Sequence, residues 1–261
     1  MSVLIVIPAR YASSRYPGKP LVALSGPDGV KSLICRSWEA AMAVAGVARV
    51  VVATDDFRIA EHATGFGAEV MMTSSVARNG TERCAEVAAQ LPGFSVIVNL
   101  QGDAPLTPPW FVESLIAGLR ADPLAEMATP VLRCDGRMLA GLLADRRAGR
   151  VGGTTAVFGA GHQALYFSKE VIPFIAHPYA KADLTPVFHH VGVYAYRPDT
   201  LAAYPNWPLG PIEELEGLEQ LRFLENGRRV LCVEVDARGR QFWELNNPSD
   251  VSILEAMLSG R

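Results

Sequence analysis

The sequence predicts an α/β fold with a doubly wound, mostly parallel sheet, and three observations carry that prediction. Short β-branched runs alternate with helical patterns through residues 3–100, the signature of strand–helix–strand units. The first run, Val3–Ile7, is apolar at every position, as a strand covered on both faces must be. The chain has 261 residues, 49% hydrophobic and 20% charged, enough to bury a full core in one large domain or in a core domain with one sizeable insertion.

The elements follow in order. After the strand Val3–Ile7, residues Ser32–Ala45 read as a helix, with Ser32 placed to cap it and Gly46 to end it. Val50–Ala53 is a second strand, closed by Thr54-Asp55-Asp56, and Phe57–Thr64 a second helix. Glu69–Met72 is a third strand, Thr81–Gln90 a third helix and Val96–Leu100 a fourth strand. In the second half, Leu165–Ser168 and His190–Tyr196 read as strands, and Glu213–Glu225 as one helix ended by Asn226-Gly227. Val230–Val235 is a strand, and Pro248–Leu258 a closing helix with Asn247 as its N-cap. Gly149–Gly161 is glycine-rich and reads as a loop or hairpin. In such sheets ligands bind beyond the carboxyl ends of the strands, which directs attention to the loops starting at Pro8, Thr54, Thr73 and Gln101.

Composition excludes several classes. A formal net charge of −3 gives no electrostatic reason to expect a nucleic acid or another polyanion as partner. Cys35, Cys84, Cys134 and Cys232 lie far apart, with neither zinc-site spacing nor the density of a disulfide framework, so free thiols in a reducing compartment are the simpler account. No basic region precedes Val3–Ile7, which argues against a signal peptide, and Ala40–Ala53 is too short and too broken to span a bilayer. The expectation is a soluble, cytoplasmic protein.

Four constellations could carry chemistry. Pro8-Ala-Arg-Tyr-Ala-Ser-Ser-Arg-Tyr-Pro-Gly-Lys-Pro20 leaves the first strand with Arg10, Arg15, Lys19, Ser13 and Ser14 close together. Such a loop either wraps a polyphosphate with cations, hydroxyls and amides, or is merely a solvated basic loop; it lacks the Walker spacing. Next, a buried strand runs straight into Gln101-Gly-Asp103, so Asp103 either serves a hard cation such as Mg²⁺ or satisfies its own turn. Asn79-Gly80-Thr81-Glu82-Arg83 opens a helix that either meets a base or ribose, or is simply capped with Glu82 and Arg83 facing solvent. Last, the irregular second half holds His189-His190, Tyr194 and Tyr196, and Glu213, Glu216, Glu219 and Gln220 on one expected helix. Spacings of i, i+3 and i+4 put Glu216, Glu219 and Gln220 on one helical face, either facing a polyhydroxyl acceptor or solvated.

Taken in order, IPARYASSRYPGKPL, VVVATDD, NGTERCAEV, VNLQGDAP, ALYFSKEVIPF, HHVGVYAYR and PIEELEGLEQLRFLENG resemble the 3-deoxy-manno-octulosonate cytidylyltransferases, within the GT-A-like nucleotidyltransferases, over nearly the whole chain. The resemblance implies one domain over 1–261, roughly 1–130 forming a nucleotide-binding half and 131–261 an acceptor-binding and dimerisation half. It implies that CTP and an acidic 2-keto sugar give the CMP-sugar and pyrophosphate, with Mg²⁺, in a homodimer supplying lipopolysaccharide precursors. By that resemblance Arg10, Arg15 and Lys19 hold the triphosphate, aided by Ala9, Ser13 and Ser14. Asn79, Gly80, Thr81 and Arg83 form the base-reading region. Gln101 serves nucleotide and sugar, while Lys169, His190, Tyr194, Glu216 and Gln220 serve the sugar. Lys19, Arg15 and Asp103 are the expected catalytic set, and Asp103 with Asn246 the expected metal ligands.

Three positions depart from the family pattern. Ala104 replaces a glutamate after Gln-Gly-Asp, Lys169 stands where arginine is usual, and Asn246 stands where a second metal aspartate belongs. An amide oxygen binds Mg²⁺ without adding negative charge, and lysine loses the bidentate contact of arginine. The departures leave open an altered metal requirement, a different acceptor such as another ulosonic acid or a phosphonate, or a nucleotide-binding homologue without catalysis. A Rossmann dehydrogenase is disfavoured, since no GxGxxG follows the first strand.

Overall fold

A computed structural model describes residues 2–13, 16–151, 153–240 and 243–260. Along the chain come β1 (Val3–Ala9), a hairpin of β2 (Ala23–Gly26) and β3 (Gly29–Ser32), α1 (Leu33–Met42), β4 (Arg49–Thr54), α2 (Phe57–Gly65) and β5 (Glu69–Met72). Then come α3 (Gly80–Gln90), β6 (Val96–Leu100), α4 (Pro109–Ala121), β7 (Met127–Asp135), α5 (Gly136–Arg147), β8 (Thr154–Phe158), β9 (Ala164–Ser168) and β10 (Leu184–His190). The last are β11 (Val193–Tyr196), α6 (Pro198–Ala203), α7 (Pro211–Glu216), α8 (Leu221–Glu225), β12 (Val230–Glu234) and α9 (Asp250–Leu258).

The chain divides into two compact units. The first holds Met1–Glu113, Tyr196–Pro205 and Ala237–Arg261, and the second Ser114–Ala195 and Asn206–Asp236. Residues 237–261 return to the N-terminal unit, so neither unit is one continuous stretch of chain.

In the first unit the strand order β5-β4-β1-β6 is parallel throughout, with Ile5 opposite Val50 and Val98. Val3, Leu4, Ile5, Val6 and Ile7 are all fully buried, as their unbroken hydrophobicity predicts. Each large side chain removed from water this way contributes roughly 2 kcal/mol. The strand tips carrying the site are anchored by that central position. The helix expected from Ser32 starts as read, the Ser32 hydroxyl accepting from the Cys35 N–H at 3.2 Å.

The second unit corrects the mostly parallel expectation, and the sheet as a whole is mixed. β12 lies parallel to β7, but β7–β10, β10–β8 and β8–β9 are antiparallel. The cause is local: the glycine-rich stretch contains β8 and turns into β9 through a loop too short for a crossover helix. Two further readings are corrected. The strand expected over His190–Tyr196 is interrupted, β10 ending at His190 and β11 starting at Val193. The single helix expected over Glu213–Glu225 is broken at Gly217, whose left-handed φ of 60° and N–H bond to the Glu213 carbonyl form a C-cap. The closing helix begins at Asp250 with Ser249 at its N-cap, and Asn247 instead offers its carbonyl to the Asp250 N–H.

Candidate active site

In the first unit, β1 ends at the buried Ala9, and the chain emerges at the exposed Arg10. The Tyr11 carbonyl accepts from both the Ser13 and Gly18 N–H groups, which holds Gly18 beside Tyr11. A 3-10 turn over Lys19–Leu21, with Pro20 buried, then aims Lys19 at Asp103. Ser14 and Arg15 lie outside the described residues.

Lys19 Nζ donates to Asp103 Oδ2 at 2.5 Å, with side chains 14% and 25% exposed. Partial burial makes this pair worth more than a surface contact while leaving it reachable by solvent and ligand. Gly102 makes the geometry possible: a Cβ there would stand 2.8 Å from the Pro8 carbonyl oxygen, which no ordinary contact tolerates. Any side chain at 102 would push Asp103 away from the end of β1. The Ser37 hydroxyl donates to the Gly102 carbonyl at 3.1 Å and fixes the turn from the side of α1. Ala104 is fully buried in that turn.

The C-terminal segment reaches the same place. The Leu245 N–H donates to the Asp103 carbonyl at 3.0 Å, bringing the chain at Asn246 alongside. Asp250 Oδ2 accepts from the Asn246 and Asn247 N–H groups at 2.9 and 2.7 Å and holds the bend. The backbone at Asp103 is thus tied to the segment that carries Asn246.

At the N-terminus of α3, Asn79 is the cap, its Oδ1 accepting from the Glu82 N–H at 2.9 Å. Gly80 packs so closely that a Cβ would meet Asn99 Nδ2 at 3.0 Å, Gln101 Nε2 at 3.2 Å and Pro8 Cγ at 3.3 Å. The backbone at Gly80 therefore sits against the ends of both β1 and β6. Glu82 and Arg83 do not face solvent, contrary to the solvated-cap reading: Glu82 pairs with Arg78, and Arg83 bonds the Thr73 hydroxyl and lies 3.6 Å from Asp55 Oδ2. Asp55 Oδ1 and Asn99 Oδ1 are buried without a partner.

The second unit holds a different cluster. His190, 6% exposed, places Nε2 3.0 Å from the Thr129 hydroxyl and stacks on Tyr194 with centroids 5.7 Å apart. The Tyr194 hydroxyl donates to Gln220 Oε1 at 3.1 Å, while Gln220 Nε2 is buried without a partner. An orphaned buried amide N–H costs on the order of 1–3 kcal/mol, which an incoming acceptor atom would recover. Burial pushes the His190 imidazole down to about 3, with His189 adding to the effect, so the ring is neutral at pH 7.

Glu216 is held in a cage of its own. Its Oε1 accepts from Ser168 Oγ at 2.6 Å and the Tyr166 hydroxyl at 3.2 Å, and its Oε2 from the Lys169 N–H at 2.9 Å. Burial raises its carboxyl, but those three donors and the Lys169 charge outweigh that and hold it below its ordinary range. The Lys169 ammonium passes close above Gly217.

Within the first unit, Ala9, Arg10, Ser13, Lys19, Asn79, Gly80, Thr81, Gln101, Asp103 and Asn246 share the loops around the ends of β1 and β6. Within the second, Lys169 joins Glu216, and His190 and Tyr194 join Gln220. Tyr196, read beside Tyr194, instead reaches Thr81 in the first unit. Sequence reading passed over Ser168, Tyr166 and Thr129, whose one signal is a polar group inside an otherwise apolar strand.

The family model described as Cytidylyltransferase matches residues 4–230. The chain is 45% identical to the 3-deoxy-manno-octulosonate cytidylyltransferase of Maricaulis maris (strain MCS10), covering 99% of this chain and 98% of that one. It is 40% identical to the enzyme of the same name from Chlamydia pneumoniae, covering 97% and 92%. Among solved structures, a CMP:2-keto-3-deoxy-manno-octonic acid synthetase complexed with CTP superposes with a TM-score of 0.83 at 35% identity, covering 99% of this chain and 98% of that one.

Proposed function

Because the chain belongs to the 3-deoxy-manno-octulosonate cytidylyltransferases, we propose how its two clusters serve the reaction of that family. It transfers CMP from CTP to 3-deoxy-manno-octulosonate (Kdo), a step of lipopolysaccharide biosynthesis. The anomeric hydroxyl of the sugar attacks the α-phosphorus in line. One P–O bond forms, the α–β anhydride bond breaks, pyrophosphate leaves with the electron pair, and the hydroxyl proton passes to water.

In our reading the first unit binds CTP. Arg10 and Lys19, with Arg15, offset the triphosphate charge, while Ala9, Ser13, Ser14 and Gln101 line its path and the backbone at Gly80 meets the base. The residues suit a Mg²⁺ ion: Asp103 offers a hard carboxylate oxygen at a strand tip, and Asn246 an amide on the adjoining segment. Those two would hold the ion, which when bound supplies charge stabilisation to the phosphates. Until then Lys19 neutralises Asp103, and on CTP binding the same ammonium turns to the phosphates. Catalysis on this reading is positioning and charge stabilisation, with Lys19, Arg15 and Asp103 doing both.

The second unit binds the sugar. Gln220 Nε2 donates to a sugar oxygen, His190 and Tyr194 form an uncharged wall, and Glu216 fixes the Lys169 backbone. Since His190 is neutral, the sugar carboxylate finds its positive charge at Lys169. We further propose a cytoplasmic homodimer. No helix among the described residues is long and apolar enough to cross a membrane, and the second unit exposes Leu165, Phe174 and Leu184 as apolar surface for a second copy.

The Lys19–Asp103 pair at the strand tips is the observation that carries this assignment. Pyrophosphate release with CTP, Mg²⁺ and Kdo tests it, run beside other ulosonic acids, phosphonates and UTP. Release with Kdo and CTP above all other pairs is expected; release only with another acceptor, or with none, would overturn it.

A further inference from the structure

Two tyrosines reach the first turn of α3 from the segment that carries α6, and both belong to the first unit. The Tyr196 and Thr81 hydroxyls lie 2.7 Å apart, and Asn99 Nδ2 points to the same phenol at 3.5 Å. Asn79 Nδ2 donates to the Tyr204 hydroxyl at 3.0 Å. Thr81 is 1% exposed, and Tyr196, Tyr204 and Asn99 are fully buried. The side chains on either side of Gly80 are therefore engaged with protein: Asn79 caps the helix and meets Tyr204, and Thr81 turns inward to Tyr196. That leaves the backbone at Gly80, pressed against Pro8, Asn99 and Gln101, as the part of this turn available to a ligand.

We propose that Tyr196 and Tyr204 are positioning residues for nucleotide recognition, acting through Thr81 and Asn79 to set where the Gly80 backbone stands. The proposal rests on the reading that the Gly80 turn meets the base of CTP. Two anchors are needed because one hydrogen bond leaves a helix end free to pivot, while one on each side of Gly80 fixes both its height and its direction. A buried phenol makes a firm anchor, because its ring packs rigidly and only the terminal hydroxyl needs a partner. Removing the Tyr196 hydroxyl takes away the contact 2.7 Å from the Thr81 hydroxyl, and the turn shifts in response.

Steady-state kinetics on Tyr196→Phe, Tyr204→Phe, Thr81→Val, Thr81→Ser and the Tyr196→Phe/Thr81→Val double variant test this, with UTP as a second nucleotide. Expected for Tyr196→Phe is a rise of about tenfold in KM for CTP, with kcat and the KM for Kdo within about twofold and a narrower preference for CTP over UTP. Thr81→Val behaves alike, the double variant is no worse than either single one, and Thr81→Ser stays near the parent. Tyr204→Phe raises the same KM through the other anchor and stands in if Tyr196→Phe does not fold. A lower melting temperature with unchanged KM for CTP would mean the phenols serve only the fold, and additive losses in the double variant would mean Tyr196 does not act through Thr81. Either result overturns the proposal. Gly80→Ala separates it from the reading beneath it. If that variant also leaves KM for CTP unchanged, the base-turn reading fails; if it raises KM and the tyrosine variants do not, only the bracing role fails.

Discussion

The two clusters solve opposite problems. In the first unit, a cation and a carboxylate stand in contact and partly buried, Lys19 against Asp103 beyond the end of β6. In the second unit, His190, Tyr194 and Gln220 are almost wholly buried, with no charge among them and one amide N–H left unpartnered. A site for a polyanion must hold charge without burying it, because isolated buried charge is prohibitively costly. A site for a hydroxylated sugar gains more from fixed, dry donors and acceptors, since an orphaned group rejects any ligand that fails to pair with it. On the proposed reading the first cluster supplies attraction and the second discrimination.

That contrast can be broken at its charged end first. Asp103→Asn, isosteric and still folded, is expected to lower kcat/KM by about a thousandfold in the pyrophosphate-release assay, since a site working by charge stabilisation fails when the charge is removed. Activity within tenfold of the parent would show that the carboxylate is only a turn residue. At the neutral end, Gln220→Leu should raise the KM for Kdo about thirtyfold, roughly 2 kcal/mol, and leave the KM for CTP unchanged. If the KM for CTP rises in step, the division of labour between the clusters is wrong.

Two smaller effects sharpen the comparison. Asn246→Asp adds a negative charge beside Asp103, and the half-saturating Mg²⁺ concentration in the same assay should fall about fivefold. An unchanged value would remove Asn246 from the metal constellation. The smallest effect concerns His190, whose folded value near 3 lies below its ordinary 6.5. The group is depressed on folding, so its contribution is fully present above pH 6.5 and is lost as pH falls from there toward 3. Urea unfolding should show stability declining by about 1 kcal/mol per pH unit across pH 6 to 5 on this account, and His190→Asn should flatten the slope. An equal slope in both proteins would assign the acid sensitivity elsewhere.

Where pattern was local, the sequence was legible. The apolar Val3–Ile7 run, the Ser32 cap and the passage from Val96–Leu100 into Gln101-Gly-Asp103 each depend on neighbouring residues, and each stands where the pattern put it. The misreadings arose where distant residues decide. Glu213 to Glu225 has helical composition throughout, yet Gly217 ends one helix and a buried Arg222–Glu213 ion pair at 2.6 Å ties the broken pieces together. Glu82 and Arg83 look solvated in sequence because nothing nearby announces Thr73 and Asp55 as their surroundings. The site was half legible for the same reason. The loop after β1 and the turn at Asp103 were each legible as ligand-facing from the strands they leave, but the Lys19–Asp103 contact was not, and Tyr204 becomes the partner of Asn79 only once the chain has folded across 125 residues.

The return of the C-terminal segment to the first unit has a consequence for biosynthesis. Leu245 and Leu254 pack in one apolar cluster with Leu24 and Leu33, and the Leu245 N–H holds the Asp103 carbonyl. A chain emerging from the ribosome thus presents its phosphate loop and Asp103 long before their last support has been made. The first unit is therefore complete only once residues 237–260 have joined it, so the turn at Asp103 acquires its last backbone bond at the end of synthesis.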